Sequence, residues 1–199
     1  MGAIVRAWRN FVHARKFARV GNGCRFVGKN ISVDGHVELG HYTRLRENIL
    51  LSSYKGGKIV IGSRCLISNN VIIEAGQLVE IGDGAGIAEN AVIRDGNHLI
   101  YGTDANWRYT PYIYKPVIIG PDAWIGSGAY VSLGVTIGQG AVLGANSVAT
   151  KDIPAFEVWG GVPARFIRHR LKDLPPALEA EAKKLLEEQP IRTDRREWQ

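Results

Sequence analysis

An aliphatic residue recurs at every sixth position through most of this chain, and no other feature restricts the possible fold as strongly. The series runs through Val27, Val33, Leu39, Leu45 and Leu51; Ile61, Ile67, Ile73 and Val79; Ile81, Ile87 and Ile93; and Ile119, Ile125, Val131, Ile137 and Leu143. An amphipathic helix needs apolar residues three and four positions apart, and a half-buried strand needs alternation. A period of six instead predicts a coil of three short, flat strands per turn, with each aliphatic side chain pointing toward the axis.

Such a coil has two open ends, because each turn buries its apolar row only against the turns beside it. Before the repeats, apolar residues at Ile4, Trp8, Phe11 and Val12 predict an amphipathic helix. After them, Pro175 opens a second helical segment. We therefore expect an N-terminal helix or cap over residues 1–19, an all-β domain over 20–168, and a C-terminal helix and tail over 169–199.

Composition narrows the class of protein. A chain of 199 residues, 45% of them hydrophobic, suits one well-buried domain with short extensions. The net charge of +6 fits an anionic ligand or a membrane surface as readily as nucleic acid, which has only this charge in its favour. Cys24 and Cys65 are far apart and form no metal-binding motif, and no apolar run suggests a membrane span or a secretory signal. We expect a cytoplasmic protein.

The six-residue period is lost over "IRDGNHLIYGTDANWRYTPYIYKP", residues 93–116, and this segment contains His98. The break predicts an extended loop near residues 95–116 that leaves the coil. A histidine in a loop is more often solvated or locally hydrogen-bonded than catalytic, so His98 alone does not establish a site.

The run from Lys115 to Arg168 contains the motifs W-I-G-S, G-V-T-I-G, "GANSVATKDIP" and "GVPARFIR" in this order. In these motifs, and over roughly residues 59–170, the chain resembles the hexapeptide-repeat acetyltransferases, which include galactoside, maltose, xenobiotic and polysaccharide O-acetyltransferases. The resemblance implies a left-handed parallel β-helix, although parallel crossovers are normally right-handed. It also implies a homotrimer with active sites between neighbouring subunits and acetyl-CoA as acyl donor, without a metal.

The resemblance also assigns roles to particular residues. Galactoside-type members take their general base from a loop histidine seventeen residues after an Ile-Gly pair, and His98 lies seventeen residues after Ile81. An imidazole suits this role because its pKa is close to neutral. The serine of W-I-G-S, Ser127, would donate its backbone N–H to the oxyanion. Asn70 corresponds to a substrate-binding asparagine, although it could equally cap a corner of the coil.

The C-terminal motifs imply where acetyl-CoA binds. Small and polar residues would line the groove for the pantetheine arm, and cations would meet the phosphates. The residues at these motif positions are Ala145, Thr150, Lys151, Arg165 and Arg168. Trp124 would pack beside the acceptor or the thiol end of the CoA.

The acceptor is less well defined by sequence. Trp107, Arg108 and the tyrosines of "NWRYTPYIY" could contact a sugar ring, or they could fasten the loop against the next subunit. We expect O-acetylation of a sugar hydroxyl in surface polysaccharide biosynthesis. The alternatives are acetylation of an antibiotic or another xenobiotic, N-acetylation of an amino sugar, and a non-catalytic β-helix scaffold.

The N-terminal segment over residues 1–19 is strongly basic. It contains Arg6, Arg9, Arg15, Lys16 and Arg19 beside its apolar residues. The segment could cap the first turn, or it could rest on the anionic inner face of a membrane, where the acceptor would be a lipid-linked glycan.

Overall fold

The computed structural model describes residues 2–170, 172 and 174–189, and in them the chain forms a left-handed parallel β-helix of about seven turns. Three sheets form the faces of a triangular prism. Sheet A contains β1 (Arg19–Val20), β4 (His36–Leu39), β7 (Lys58–Ile61), β10 (Leu78–Ile81), β15 (Val117–Ile119) and β18 (Thr136–Ile137). Sheet B contains β2 (Arg25–Phe26), β5 (Arg44–Leu45), β8 (Leu66–Ile67), β11 (Gly86–Ile87), β16 (Trp124–Ile125), β19 (Val142–Leu143), β21 (Glu157–Gly160) and β22 (Arg165–His169). Sheet C contains β3 (Ile31–Asp34), β6 (Ile49–Ser53), β9 (Ile72–Ala75), β12 (Val92–Arg94), β17 (Tyr130–Val131) and β20 (Val148–Ala149).

Pairing between successive turns confirms the six-residue period. In sheet B the inward residues stack in register as a column, and each is at most 1% exposed: Leu45, Ile67, Ile87, Ile125 and Leu143. Removal of these apolar surfaces from water is the main force that holds one turn on the next.

The three corners of the prism are not equivalent. We name them by the sheets they join: the A–B corner (residues 82–85 in one turn), the B–C corner (88–91) and the C–A corner, which includes the loop. In the turns after the first, inward residues stay six positions apart across the first two corners. Across the C–A corner three of these separations are longer than six. They are ten residues from Leu51 to Ile61, eight from Ile73 to Ile81 and twenty-six from Ile93 to Ile119. The extra residues after Leu51, after Ile73 and in the loop after Ile93 therefore all enlarge the same edge of the prism.

The first turn departs from the predicted register. Val27 is 49% exposed, and Phe26 takes the inward position, paired with Leu45 of the next turn. The inward residues Phe26 and Val33 are seven positions apart, because this B–C corner holds one extra residue. The prediction that Val27 points toward the axis is therefore wrong.

Helix α1 (Gly2–Ala14) covers the first turn and is shorter than the predicted segment 1–19. The Asn10 side-chain oxygen accepts a hydrogen bond from the Phe26 N–H at 3.2 Å. The rings of His13 and Phe17 lie 5.6 and 5.5 Å from the Phe26 ring. The helix thus closes the coil with the side that carries Asn10 and His13.

At the other end, β21 and β22 form an antiparallel hairpin that extends sheet B. Strand β22 continues to His169, one residue past the predicted boundary at 168. Helix α2 (Pro176–Glu188) follows, and it begins beside the proline pair as predicted. The part of the predicted tail after Gln189 lies outside the described residues.

The register of the first turn gives a matched test. Phe26→Ala should lower the free energy of unfolding by about 3–5 kcal/mol, because it removes a large buried ring. Val27→Ala should change it by no more than about 0.5 kcal/mol, as is usual at an exposed position. Urea unfolding followed by circular dichroism measures both variants. A larger loss of unfolding free energy for Val27→Ala than for Phe26→Ala would show that Val27 points toward the axis, as the sequence predicted.

Candidate active site

His98 lies on a hairpin that leaves the coil at the C–A corner. Strand β13 (Gly96–His98) pairs antiparallel with β14 (Tyr112–Tyr114), and His98 is opposite Tyr112. Its imidazole meets the rings of Trp107 and Tyr112 edge-on, with centroids 5.0 and 4.6 Å apart. Trp107 begins a short 3₁₀ helix, Trp107–Tyr109, in the connecting segment. Aromatic packing on two sides therefore fixes the position of the imidazole.

The hairpin is attached to the coil of its own chain through Tyr114. The Tyr114 ring contacts those of Tyr112, at 5.1 Å, and Tyr54, at 6.0 Å. It also lies directly on Gly76 and Gly96, where any side chain would collide with it. Tyr112 and Tyr114 thus fasten the loop to its own coil, an arrangement that the sequence analysis did not anticipate for these two tyrosines.

Asp95 anchors the base of the hairpin. Its side chain is fully buried, and its two carboxylate oxygens accept hydrogen bonds from the backbone N–H groups of Gly76, Gln77 and Leu78 at 2.6–2.7 Å. Its backbone oxygen accepts a further bond from the Lys115 N–H at 2.8 Å. The Asp95 carboxylate is therefore engaged with these amides and does not orient the His98 ring.

The Nδ1 atom of His98 is buried and has no hydrogen-bond partner among the described residues. Asp104, elsewhere in the same loop, is exposed and makes no bond to it. Because buried polar atoms are nearly always paired, we expect an ordered water, a ligand or another copy to supply this partner.

Ser127 lies on the B–C corner, next to Glu89 of the preceding turn. Its hydroxyl donates a 2.8 Å hydrogen bond to the Glu89 carboxylate. The Glu89 N–H and, to a smaller extent, the Ser127 hydroxyl lower the pKa of Glu89. Within the described part of the chain, the Ser127 N–H donates to no acceptor and remains available.

Sequence reasoning missed Glu89, although the repeat contained the signal. Glu89 lies two positions after the inward Ile87, and Ser127 lies two positions after Ile125. Because Ile87 and Ile125 are stacked partners, residues at equal offsets share one column of the corner. Ala145, two positions after Leu143, continues the same column.

Asn70 lies on this same corner in an asparagine ladder. Its backbone is left-handed, with φ of 58°. Its side chain accepts a hydrogen bond from Asn48 at 3.1 Å and donates one to Asn90 at 3.1 Å. These contacts match the corner-capping alternative, and its role in substrate binding stays a prediction.

The residues predicted to bind acetyl-CoA are divided between corners. Ala145 is exposed on the B–C corner, whereas Thr150 and Lys151 are exposed at the C–A corner, on the same edge as the hairpin. Arg165 is exposed and Arg168 half-buried on β22. Trp124 lies on sheet B and is 56% exposed.

A single copy therefore does not bring the two catalytic candidates together. His98 is at one edge of sheet C and Ser127 is at the other, because β12 and β17 run between the B–C and C–A corners. The hairpin adds Trp107, 55% exposed, and Arg108, whose guanidinium lies 5.6 Å from the Trp107 ring centroid. One chain thus presents two half-sites on different edges.

Known proteins share sequence with this chain, most clearly in the later turns of the coil. The family described as the hexapeptide repeat of succinyl-transferase matches residues 116–151. The galactoside O-acetyltransferase of Escherichia coli is 39% identical over 114 residues, which are 57% of this chain and 55% of that protein. Over these segments this chain is similar to hexapeptide-repeat acetyltransferases.

A second relative matches a longer part of the chain at lower identity. The "Probable acetyltransferase Rv3034c" of Mycobacterium tuberculosis is 28% identical over 174 residues, which are 84% of this chain and 57% of that protein. The chain spans little more than half the length of the curated relatives that it matches.

Solved structures also match most of the chain. AntD, an N-acyltransferase from Bacillus cereus, has a TM-score of 0.72 at 22% identity, covering 89% of this chain and 95% of that one. A galactoside acetyltransferase in complex with coenzyme A has a TM-score of 0.57 at 26% identity, covering 81% and 70%.

Two other features of this hexapeptide-repeat protein bear on the chemistry. Within the described ranges, no group of three or more His, Cys, Asp or Glu side chains is arranged to hold a metal ion. A groove of about 330 Å³ follows sheet A in the first turns, and none of the predicted site residues lines it.

Asp95→Asn tests how the hairpin is held. An amide keeps only one oxygen, so at least one of the three backbone N–H groups loses its acceptor, and we expect a loss of about 2–3 kcal/mol in the free energy of unfolding. Urea unfolding measures this loss, with Asp104→Asn in the exposed part of the loop as matched control. Equal stability of the two variants would contradict an anchoring role for Asp95.

Proposed function

We propose that this protein is an acetyl-CoA-dependent O-acetyltransferase that transfers acetyl to a sugar hydroxyl in surface polysaccharide biosynthesis. The proposal rests on one observation: the rings of Trp107 and Tyr112 pack against His98 and fix its position on a hairpin that is anchored to the edge of the coil. The match to galactoside O-acetyltransferase supports the reaction class. The free thiols of Cys24 and Cys65 support a cytoplasmic location.

The reaction is a direct transfer in a ternary complex. The imidazole of His98 takes the proton of the acceptor hydroxyl as its oxygen attacks the thioester carbonyl. The oxyanion of the tetrahedral intermediate accepts a hydrogen bond from the Ser127 N–H. Collapse of the intermediate breaks the carbon–sulfur bond, and the leaving thiolate of CoA takes the proton back from His98.

The donor site lies between two copies of the chain in this proposal. The exposed C–A corner of one copy, with the hairpin and Lys151, would face the B–C corner of the next, with Ser127 and Ala145. Ala145 leaves room for a slender pantetheine arm, while Lys151, Arg165 and Arg168 supply cations for the phosphates. A homotrimer would contain three such sites, one between each pair of neighbouring copies.

The acceptor would bind beside the outer part of the hairpin. Trp107 contacts the His98 ring on one side and is 55% exposed, so it can stack on a sugar ring close to the base. Arg108 is exposed beside it and suits an acidic sugar or a phosphate. An amino sugar is the second candidate acceptor, since the same base would accept a proton from an amine.

His98→Ala should lower kcat/KM by about 10²–10⁴-fold, the usual contribution of a general base. Thiol release from acetyl-CoA measures the rate with a panel of glycans that includes matched hydroxyl and amino sugars. His41→Ala is the matched control, because His41 is an exposed histidine at a different corner.

Calorimetry with CoA separates loss of chemistry from loss of binding. We expect unchanged CoA affinity for both variants, since neither histidine contacts the nucleotide in the proposed complex. Retention of most of the rate by His98→Ala would remove it as the base. The absence of any CoA binding by the parent protein would favour the non-catalytic scaffold.

A mixing experiment tests whether the site is shared between copies. His98→Ala disables the hairpin half, and Ala145→Trp fills the groove of the B–C half, so each variant alone should be inactive. When both are refolded together, random assembly of trimers leaves about one interface in four with both halves intact. We expect about a quarter of the parent activity in the mixture.

Light scattering on each variant controls for assembly before mixing. A site contained within one chain would leave the mixture as inactive as its two components. That outcome would refute the shared site without affecting the assignment of His98.

A further inference from the structure

Helix α1 faces the coil with its polar side. Asn10, His13 and Ala14 point toward the first turn, through the hydrogen bond to Phe26 and the ring contact between His13 and Phe26. An amphipathic helix that only capped the coil would place its apolar stripe there instead.

The apolar side of α1 faces away from the protein. Its residues are Val5, 59% exposed, Trp8, 67%, Phe11, 55%, and Val12, 41%. Trp8 and Phe11 are adjacent, with ring centroids 6.2 Å apart, and the guanidinium of Arg15 lies 5.4 Å from the Phe11 ring centroid. We call these four residues the outer face of α1. Contiguous exposed aromatic and aliphatic side chains mark an interaction surface.

The charge of the protein is concentrated at the same end. Residues 1–33 contain seven of the 25 Lys and Arg residues and none of the 19 Asp and Glu residues. The other 166 residues carry 18 cationic and 19 anionic side chains, so the whole net charge of +6 arises from the N-terminal end. Some of these cations already have partners, since Lys16 donates to the Ile31 carbonyl at 2.8 Å. The outer face of α1 nevertheless lies at the cationic end of the chain, with the Arg15 guanidinium beside the Phe11 ring.

We propose that the outer face of α1 binds the surface of an anionic phospholipid bilayer. An apolar helical face within a cationic region is the combination that interfacial helices use: the rings enter the headgroup layer, and Lys and Arg attract anionic lipids. None of the described helices is long and apolar enough to cross a membrane, so α1 would lie in the plane of the interface.

A second copy of the chain is a less suitable occupant of this face. The corners that carry the two half-sites run along the length of the coil, whereas α1 lies across its first turn. Copies that met at their corners would leave α1 at one end of the assembly. Two identical cationic ends would also repel each other.

Vesicle flotation tests the proposal on the full chain. The protein should float with vesicles of phosphatidylcholine containing 30% phosphatidylglycerol and remain at the bottom with phosphatidylcholine alone. Raising the salt from 0.1 to 0.5 M should weaken the binding, because it screens the electrostatic attraction. Arg15→Gln should reduce binding roughly fivefold, the usual effect of one cation near an anionic surface.

The double variant Trp8→Ser/Phe11→Ser removes the exposed rings without touching the side of α1 that packs on the coil. It should bind anionic vesicles at least about tenfold more weakly than the parent. Leu185→Ser/Leu186→Ser is the matched control, because these exposed residues lie on α2, which carries four Glu and two Lys. This control should bind like the parent.

Three outcomes would overturn the proposal. The parent could fail to float with anionic vesicles, the double variant on α1 could float as well as the parent, or the two double variants could lose binding equally.

Light scattering adds a further check. A smaller oligomer for Trp8→Ser/Phe11→Ser than for the parent would assign the outer face to a second copy. Circular dichroism establishes that each variant is folded.

Discussion

The stacking of inward aliphatic residues from turn to turn is the interaction on which the rest of this structure depends. Each short strand buries one or two side chains against the strands above and below it, as in the column from Leu45 to Leu143. Strands this short could not form a stable sheet alone. Because every turn must present its inward residues in register with the next, the faces of the prism tolerate no insertions, and variation in length is confined to the corners.

That constraint explains where the candidate chemistry lies. In the turns after the first, extra residues accumulate only at the C–A corner, and the largest insertion carries His98. A long insertion would be mobile without local anchors. Here the buried Asp95 carboxylate binds three backbone amides of the preceding turn, and Tyr114 packs on two glycines. The loop is therefore held rigidly enough to present an imidazole at a defined place.

The straight prism also separates the two half-sites. Residues at the B–C corner, such as Ser127 and Ala145, are kept in one column by the repeat, and the width of sheet C keeps them apart from His98. A second copy of the chain can place its B–C corner beside the C–A corner of the first, which a single chain cannot do. Among the described residues, neither the Nδ1 of His98 nor the Ser127 N–H has a hydrogen-bond partner, which is compatible with this view. The proposed shared site follows from this geometry.

The sequence by itself determined the repeat, the β-helix and the loop, because a six-residue period fixes which side chains face the axis. The family resemblance, applied through motif spacing, also selected His98 and Ser127, whose catalytic roles stay predictions. The sequence could not locate Phe26 as the inward residue of the first strand of sheet B, because a one-residue insertion at a corner leaves no periodic signal. The roles of Asp95, Tyr114 and Glu89 depend on contacts between turns, and the outward apolar face of α1 depends on which side packs on the coil. Only the tertiary structure decided these, since periodicity describes a residue's direction and not its neighbours.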